Sequence, residues 1–135
     1  MLNDAIRTLL QQRFIARVTT IGPDGYPHTV PIWYILDNDD IVISTGPQSR
    51  KVLNIRANPK GAVTIGGDPV NEHERYSAGY LFLGEWALEG EPGLDWIRRI
   101  AQRYWGDHER VEREIAEWGP NQALRFTIRR VTKVM

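Results

Sequence analysis

A mainly β fold of the α+β kind, a small antiparallel barrel with peripheral helices, is what this sequence predicts. Six segments rich in β-branched and aromatic residues recur along the chain, while helical spacing is confined to the start, one short middle stretch and the region before the last strand. The first three strands are joined by turns too tight for the crossovers that a parallel sheet requires.

Asn3 or Asp4 caps a first helix running to Gln12, with Ala5, Ile6, Leu9 and Leu10 on one face. From Phe14 the pattern changes to FIARVTTI, a strand, and GPDG at residues 22–25 turns the chain. YPHTVPIWYIL reads as a second strand whose prolines place it at an edge or a bulge. DNDD turns the chain again into the third strand, IVIST. SRKVLNIRANP is a short helix capped by Ser49 and stopped at Asn58-Pro59. GAVTIG and GYLFLGEWALEG form strands four and five, separated by the polar loop GDPVNEHERYSA. Helical spacing returns from Leu94 to Trp105 and from Asp107 or His108 to Trp118, and ALRFTIRRVTKV closes the chain as a sixth strand. Residues 1–135 read as one domain, without repeat, linker or low-complexity tract.

Charge and composition narrow the function. Lys+Arg and Asp+Glu both number 17, a formal net charge of zero. A long polyanion draws its affinity from neutralised phosphates, so nucleic acid is an unfavourable partner, and an oligonucleotide-binding barrel is disfavoured. The chain contains no cysteine, which excludes disulfides, thiol catalysis and cysteine metal sites. No apolar run approaches a membrane span, and the first seven residues lack a secretory pattern, so a cytoplasmic protein is expected.

The densest chemistry lies in STGPQSRK, residues 44–51. Hydroxyls of Ser44, Thr45 and Ser49 surround a Gly-Pro turn, and Arg50 and Lys51 open the helix that follows. Helix-start N–H groups lack intrahelical partners and carry partial positive charge, so a phosphate suits the position. The competing reading makes Arg50 and Lys51 solvated first-turn residues, although two cations there oppose the helix dipole.

The span PDGYPHTVPIWYILDNDDIVISTGPQSRKVLNIRANPKGAV resembles the core of the pyridoxamine 5′-phosphate oxidase-like flavin-binding split barrels. The features carrying the resemblance are a Gly-containing turn, a P-H-x-x-P-[VI]-W strand, an acidic turn, a strand ending in hydroxylated residues, and an S-R-K-x-x-N helix. IRRIAQRYWG and the final strand are similar to the subset that uses FMN or the deazaflavin coenzyme F-420. The resemblance implies a six-stranded antiparallel split barrel, a homodimer with cofactor sites at the subunit interface, and FMN or F-420 as cofactor. Arg50 and Lys51, helped by Thr45 and Ser49, would hold the cofactor phosphate, and Ser44 would lie near the ribityl chain. The strand Val30, Pro31, Ile32 and Trp33 would run beside the ring, with backbone groups toward its polar edge. The longer anionic tail of F-420 needs a basic groove, for which Arg17, Lys60 and Arg75 are candidates.

Two departures bear on activity. The pyridoxal-type oxidases carry an Arg and a Lys where this chain has Thr29 and Tyr34, and their C-terminal substrate residues find no counterpart in ALRFTIRRVTKVM. A reductase acting by hydride transfer on a small organic substrate, or a non-catalytic binder on the same fold, fits better than an oxidase of the pyridoxamine type. His28 is either a general acid at the ring face or a structural strand residue. His73, with Glu72, Glu74 and Arg75, belongs to a loop over the site or to a solvated connection. Asp107-His108-Glu109 lacks the paired spacing of a metal site. Trp33 can stack on a ring, while Trp96, Trp105 and Trp118 suit packing of the helices onto the barrel. Alternation places Arg129 and Arg130 on opposite faces of the last strand.

Overall fold

The computed structural model describes residues 2–73 and 75–135, so Glu74 of the polar loop lies outside the described residues. Four helices and seven strands follow in the order α1 (Asp4–Leu10), β1 (Ala16–Ile21), β2 (Pro27–Ile32), β3 (Ile35–Asp37), β4 (Asp40–Thr45), α2 (Arg50–Ala57), β5 (Lys60–Gly66), β6 (Gly79–Gly93), α3 (Asp95–Trp105), α4 (His108–Trp118) and β7 (Asn121–Lys133). All strands join one antiparallel sheet in the order β2-β1-β5-β6-β7-β4-β3.

The expected second strand is two strands, which makes seven rather than six. Pro27 and Pro31 lack N–H donors, and β2 accordingly lies at the sheet edge, paired on one side with β1. At Tyr34 the side chain turns fully into the core and its hydroxyl donates to Leu10 O at 2.7 Å. The Tyr34 N–H donates to the Tyr104 hydroxyl at 3.3 Å, so this backbone is used by α3 instead of a strand neighbour. The ladder stops at Ile32 and resumes at Ile35.

That break has a geometric consequence. β2 and β3 stand at opposite ends of the strand order, yet only Trp33 and Tyr34 separate them. Three Cα steps span at most about 11 Å. The two edges of the sheet must therefore meet, and the sheet rolls into a barrel whose seam is crossed by the chain rather than by a hydrogen-bonded ladder. The β3–β4 hairpin beside the seam turns through Asn38 and Asp39, both at positive φ (48° and 68°), the backbone of a two-residue primed turn.

Inward residues alternate along the strands as the pleat requires: Ala16 and Val18, Ile41 and Ile43, Val63 and Ile65, Leu124 and Phe126 are all buried. Trp86 enters this core because Gly61 leaves room for it. A Cβ at Gly61 would overlap the indole, whose N–H donates to Thr19 O at 3.2 Å. α1 and α2 add Ile6, Leu9, Leu10, Val52 and Ile55 to the same core. α3 and α4 form a second cluster from Ile97, Ala101, Val111 and Ile115, onto which Trp33 and Trp105 pack. Among the described residues no helix is long and apolar enough to cross a membrane.

The last strand departs from simple alternation. Leu83 pairs with Arg130 and Gly84 with Ile128, so Arg129 is an extra residue at a bulge. The bulge cancels the expected alternation, and Arg129 and Arg130 line one outer groove together.

One cation secures the seam. The Arg103 guanidinium donates to Tyr34 O and Leu10 O at 2.9 Å each and to Gln12 O, and it lies 4.6 Å from the Tyr34 ring centre. Tyr104 adds a hydrogen bond to Phe14 O at 2.6 Å. Arg103→Met should lower unfolding free energy by about 2–4 kcal/mol, because charged hydrogen bonds contribute roughly 1.5–3 kcal/mol each and are not additive. Arg103→Lys should recover little of that loss, since an ammonium cannot span three carbonyls. Urea unfolding monitored by tryptophan fluorescence measures both.

Candidate functional site

β4 ends in Ser44 and Thr45, both buried and paired with Ala123 and Gln122 of β7. Gly46, Pro47 and Gln48 form an exposed turn closed by Ser49 N–H to Gly46 O at 3.0 Å. The chain then enters α2 with Ser49 as its N-cap residue. Sequence proximity and the turn thus gather Thr45, Ser49, Arg50 and Lys51 around one helix start. α2 leans on β1, where the buried Asn54 amide donates to the Thr20 hydroxyl at 3.0 Å.

Three properties mark this helix start, although α3, whose N-cap is Leu94, likewise makes no side-chain cap bond. Asn3 and Asp107 cap their helices in the ordinary way, accepting from Ile6 N at 2.9 Å and Arg110 N at 3.2 Å. Ser49 makes no such bond, and its Oγ is buried without a partner. The first turn of α2 carries no acidic residue, although acids are favoured there. Lys51 is partly buried, and desolvation holds its pKa below the usual 10.5 with no opposing acid as a cause. Among the described residues neither Arg50 nor Lys51 makes a salt bridge. Exposed cations without partners are ordinary. A partly desolvated lysine, an unpartnered hydroxyl and a helix start without an acid are groups of the kind a phosphate ester satisfies.

The start of β2, at Pro27 and His28, lies across a cavity from Arg50 and Asn54 of α2. As an edge strand β2 leaves part of the Val30–Ile32 backbone unpaired on the side away from β1, available to a polar ligand edge. Trp33 is held elsewhere: its ring stacks on Tyr104 at 4.7 Å and meets Trp105 edge-on at 5.1 Å. The two positions where the pyridoxal-type oxidases place cations are both committed to the fold. Thr29 shares a 2.8 Å hydrogen bond with Thr19, and Tyr34 is buried with its pKa pushed upward by desolvation.

The groups expected to line a tail groove are dispersed. Arg17 pairs with Asp68 at 3.5 Å, Lys60 lies in the outer groove with Arg129 and Arg130, and Arg75 is exposed in the polar loop. His28, one residue from Thr29, faces the opposite side of β2 and has its Nδ1 buried without a partner. Arg103 and Tyr104, which the sequence shows only as two members of an amphipathic helix, hold the end of β2 in place.

The family model described as pyridoxamine 5′-phosphate oxidase matches residues 2–135. The chain belongs to the pyridoxamine 5′-phosphate oxidase family. Among solved structures, a conserved hypothetical protein from Mycobacterium tuberculosis superposes with a TM-score of 0.77 at 22% identity, covering 98% of this chain and 84% of that one. A protein described as an F420 reductase gives 0.71 at 18% identity, covering 97% and 98%. The heme storage protein HutZ from Vibrio cholerae gives 0.70 at 14% identity, covering 98% and 94%. No curated relative matches the sequence. At these identities the likeness to solved structures is one of fold.

The unused cap gives a sharp expectation. Replacing a capping Ser by Ala ordinarily costs about 1 kcal/mol. Ser49→Ala should cost less than about 0.5 kcal/mol in the ligand-free protein, whereas Asn3→Ala should cost the ordinary amount. Lys51→Met should stabilise the ligand-free protein at neutral pH. Because the folded Lys51 pKa is depressed, the unfolded state binds more protons between that pKa and 10.5, and wild-type stability rises with pH through this window. The advantage of Lys51→Met should shrink over the same window, as pH-dependent denaturation reads directly.

Proposed function

We propose that this protein is a flavin- or deazaflavin-dependent oxidoreductase that takes FMN or F-420 with its phosphate at the start of α2. The observation carrying this reading is the buried, unpartnered Ser49 hydroxyl together with Lys51, which is partly desolvated and makes no salt bridge among the described residues. Membership of the pyridoxamine 5′-phosphate oxidase family and the fold shared with an F420 reductase support a cofactor of this kind.

Arg50 and Lys51 supply charge to the phosphate, Ser49 and Thr45 supply hydroxyls, and Ser44 lies at the base of the seat, toward the ribityl chain. The edge of β2 from Val30 to Ile32 offers backbone groups to the polar rim of the ring, with Trp33 fixing the end of that strand against α3. When bound, the cofactor supplies hydride transfer to or from a small organic substrate. No Cys, Ser or Lys nucleophile is assigned a catalytic role. The protein's part is to bind, orient and exclude water.

We further propose that the protein is a homodimer with its cofactor sites at the interface. The outer face of β1, β5, β6 and β7 supports this: Ile21, Ala62 and Leu83 line a groove of about 620 Å³ there. Leu83→Asp should reduce the sedimenting species from two chains to one. A wild-type protein that sediments as a single chain overturns the dimer.

The fold likeness to a protein described as a heme storage protein favours a second reading, a non-catalytic binder. Turnover of reduced cofactor with an added acceptor separates the two.

An absorbance spectrum of the purified protein, followed by titration of the apo form with FMN and F-420, should show saturable binding at one cofactor per chain. Arg50→Ala with Lys51→Ala should weaken it by about 100-fold, roughly 3 kcal/mol, with the fold retained. Phosphate is fully dianionic above its second pKa near 6. Lys51 in the ligand-free protein loses its proton below 10.5, so affinity should be highest between these limits and fall on the alkaline side before pH 10.5. Unchanged affinity in the double variant removes the assignment.

A further inference from the structure

We propose that Trp33, Trp105 and Trp118 form an oxidation relay, which carries a one-electron vacancy from the seam of the barrel to a half-exposed surface ring. The relay uses this chain's own rings and does not depend on the cofactor reading above.

Three separate parts of the chain contribute one indole each. Trp33 lies between β2 and β3, Trp105 ends α3 and Trp118 ends α4. Trp33 meets Trp105 edge-on with ring centres 5.1 Å apart, and Trp105 lies 5.7 Å from Trp118. These are contact separations for aromatic rings, so an electron can pass along the series without any ring moving. Trp33 and Trp105 are partly buried, whereas Trp118 is 44% exposed. One end of the series therefore meets the seam and the other meets water. Packing of α3 and α4 needs only apolar bulk, which Ile97, Val111 and Ile115 already supply. An unbroken run of indoles ending in solvent goes beyond that need.

Flanking charges decide where the vacancy rests. It is a positive charge, so a guanidinium over a ring opposes it. Arg110 lies 4.2 Å from the Trp105 ring centre, and Trp105 accordingly passes the vacancy on rather than holding it. Among the described residues no guanidinium lies over Trp33 or Trp118. The other two tryptophans stand apart. Trp96 has Arg99 at 4.0 Å and Arg125 at 5.6 Å, and Trp86 packs on Phe126, a ring that resists oxidation. Tyr104 stacks on Trp33 at 4.7 Å, but a phenol must shed its proton to be oxidised. Its hydroxyl donates to Phe14 O at 2.6 Å, and an amide carbonyl accepts that bond without taking the proton. Tyr104 is thus a positioning residue for Trp33.

The oxidant is a peroxide-derived oxygen radical at the seam, and the reductant is a dissolved thiol. The radical takes one electron from Trp33 and becomes an anion, which gains a proton from water. Trp105 returns an electron to Trp33, and Trp118 returns one to Trp105. The Trp118 ring then loses its Nε1 proton to water, and the thiol restores it by giving a hydrogen atom, leaving a thiyl radical. The net transfer is one hydrogen atom from thiol to oxidant, with the barrel unchanged.

The absence of cysteine makes a placed oxidant practical. Arg13→Cys gives a single attachment point, exposed and next to Phe14, whose carbonyl holds Tyr104. A ruthenium polypyridyl photo-oxidant is tethered there, and flash oxidation is read by transient absorbance and by peptide mass spectrometry. Without thiol, the oxygenated product should collect at Trp118, and added thiol should suppress it. Trp105→Leu should move the product to Trp33, and Trp118→Phe should remove it from the surface end, with circular dichroism confirming each fold. Product that stays on Trp33 when all three indoles are present overturns the relay. An unchanged yield at Trp118 in Trp105→Leu, or an equal yield at Trp96, overturns it as well.

Discussion

The seam between β2 and β3 is the constraint on which the rest of this structure depends. Two residues connect strands that lie at opposite ends of the sheet, so the sheet must close on itself. Without backbone pairing across that seam, its N–H and C=O groups need other partners. Arg103 and Tyr104 of α3 provide them, reaching Tyr34, Leu10, Gln12 and Phe14. The same contacts stitch the α1–β1 connection to the barrel wall. A helix that reads in sequence as external decoration is therefore the element that closes the barrel, and it fixes the Ile32 end of β2.

Charge is used differently at the two ends of the molecule. Arg125 is held by Asp37, Asp40 and Glu89 at 2.8, 3.0 and 2.6 Å, which raises its pKa and ties the β3–β4 hairpin to β6 and β7. Arg7 reaches Asp39 at 2.7 Å, and Arg98 reaches Glu112 at 2.6 Å. Such exposed or half-exposed pairs contribute little individually, but they show the pattern the chain follows where structure is the purpose. At α2 that pattern stops. The cap hydroxyl does not cap, the acid that would favour the dipole is missing, and a lysine is desolvated without a carboxylate. Local rules broken together at one place are what the proposed anion seat would explain.

Most elements were legible because short-range rules decide them. Asn3 and Asp107 cap helices, Asn58-Pro59 follows α2, and DNDD forms the primed turn that its residue types allow. The proposed anion seat could be read from sequence for the same reason, since Thr45 through Lys51 are contiguous. What sequence hid depends on long-range contacts. The break at Trp33-Tyr34 looks like continuous strand until Arg103, some seventy residues later, claims the Tyr34 carbonyl. The common face of Arg129 and Arg130 follows from a bulge set by β6, where a side chain at Gly84 would collide with Thr127 O. The role of Trp33 was open in sequence, and its stacking on Tyr104 is a tertiary choice.

The cost of the seat falls on the ligand-free protein. Desolvating the Lys51 ammonium and burying the Ser49 hydroxyl unpaired both oppose folding. Neither is needed by the barrel, whose core packs behind them through Val52 and Ile55. An anion bound as proposed at the start of α2 would offset both penalties, and any ligand that binds the folded chain alone stabilises it by mass action. Stability and occupancy are thereby coupled through the same few atoms. The clamp at Arg103 acts at the opposite end of β2 and does not touch the seat. Closure of the barrel therefore does not depend on whether the proposed seat is filled.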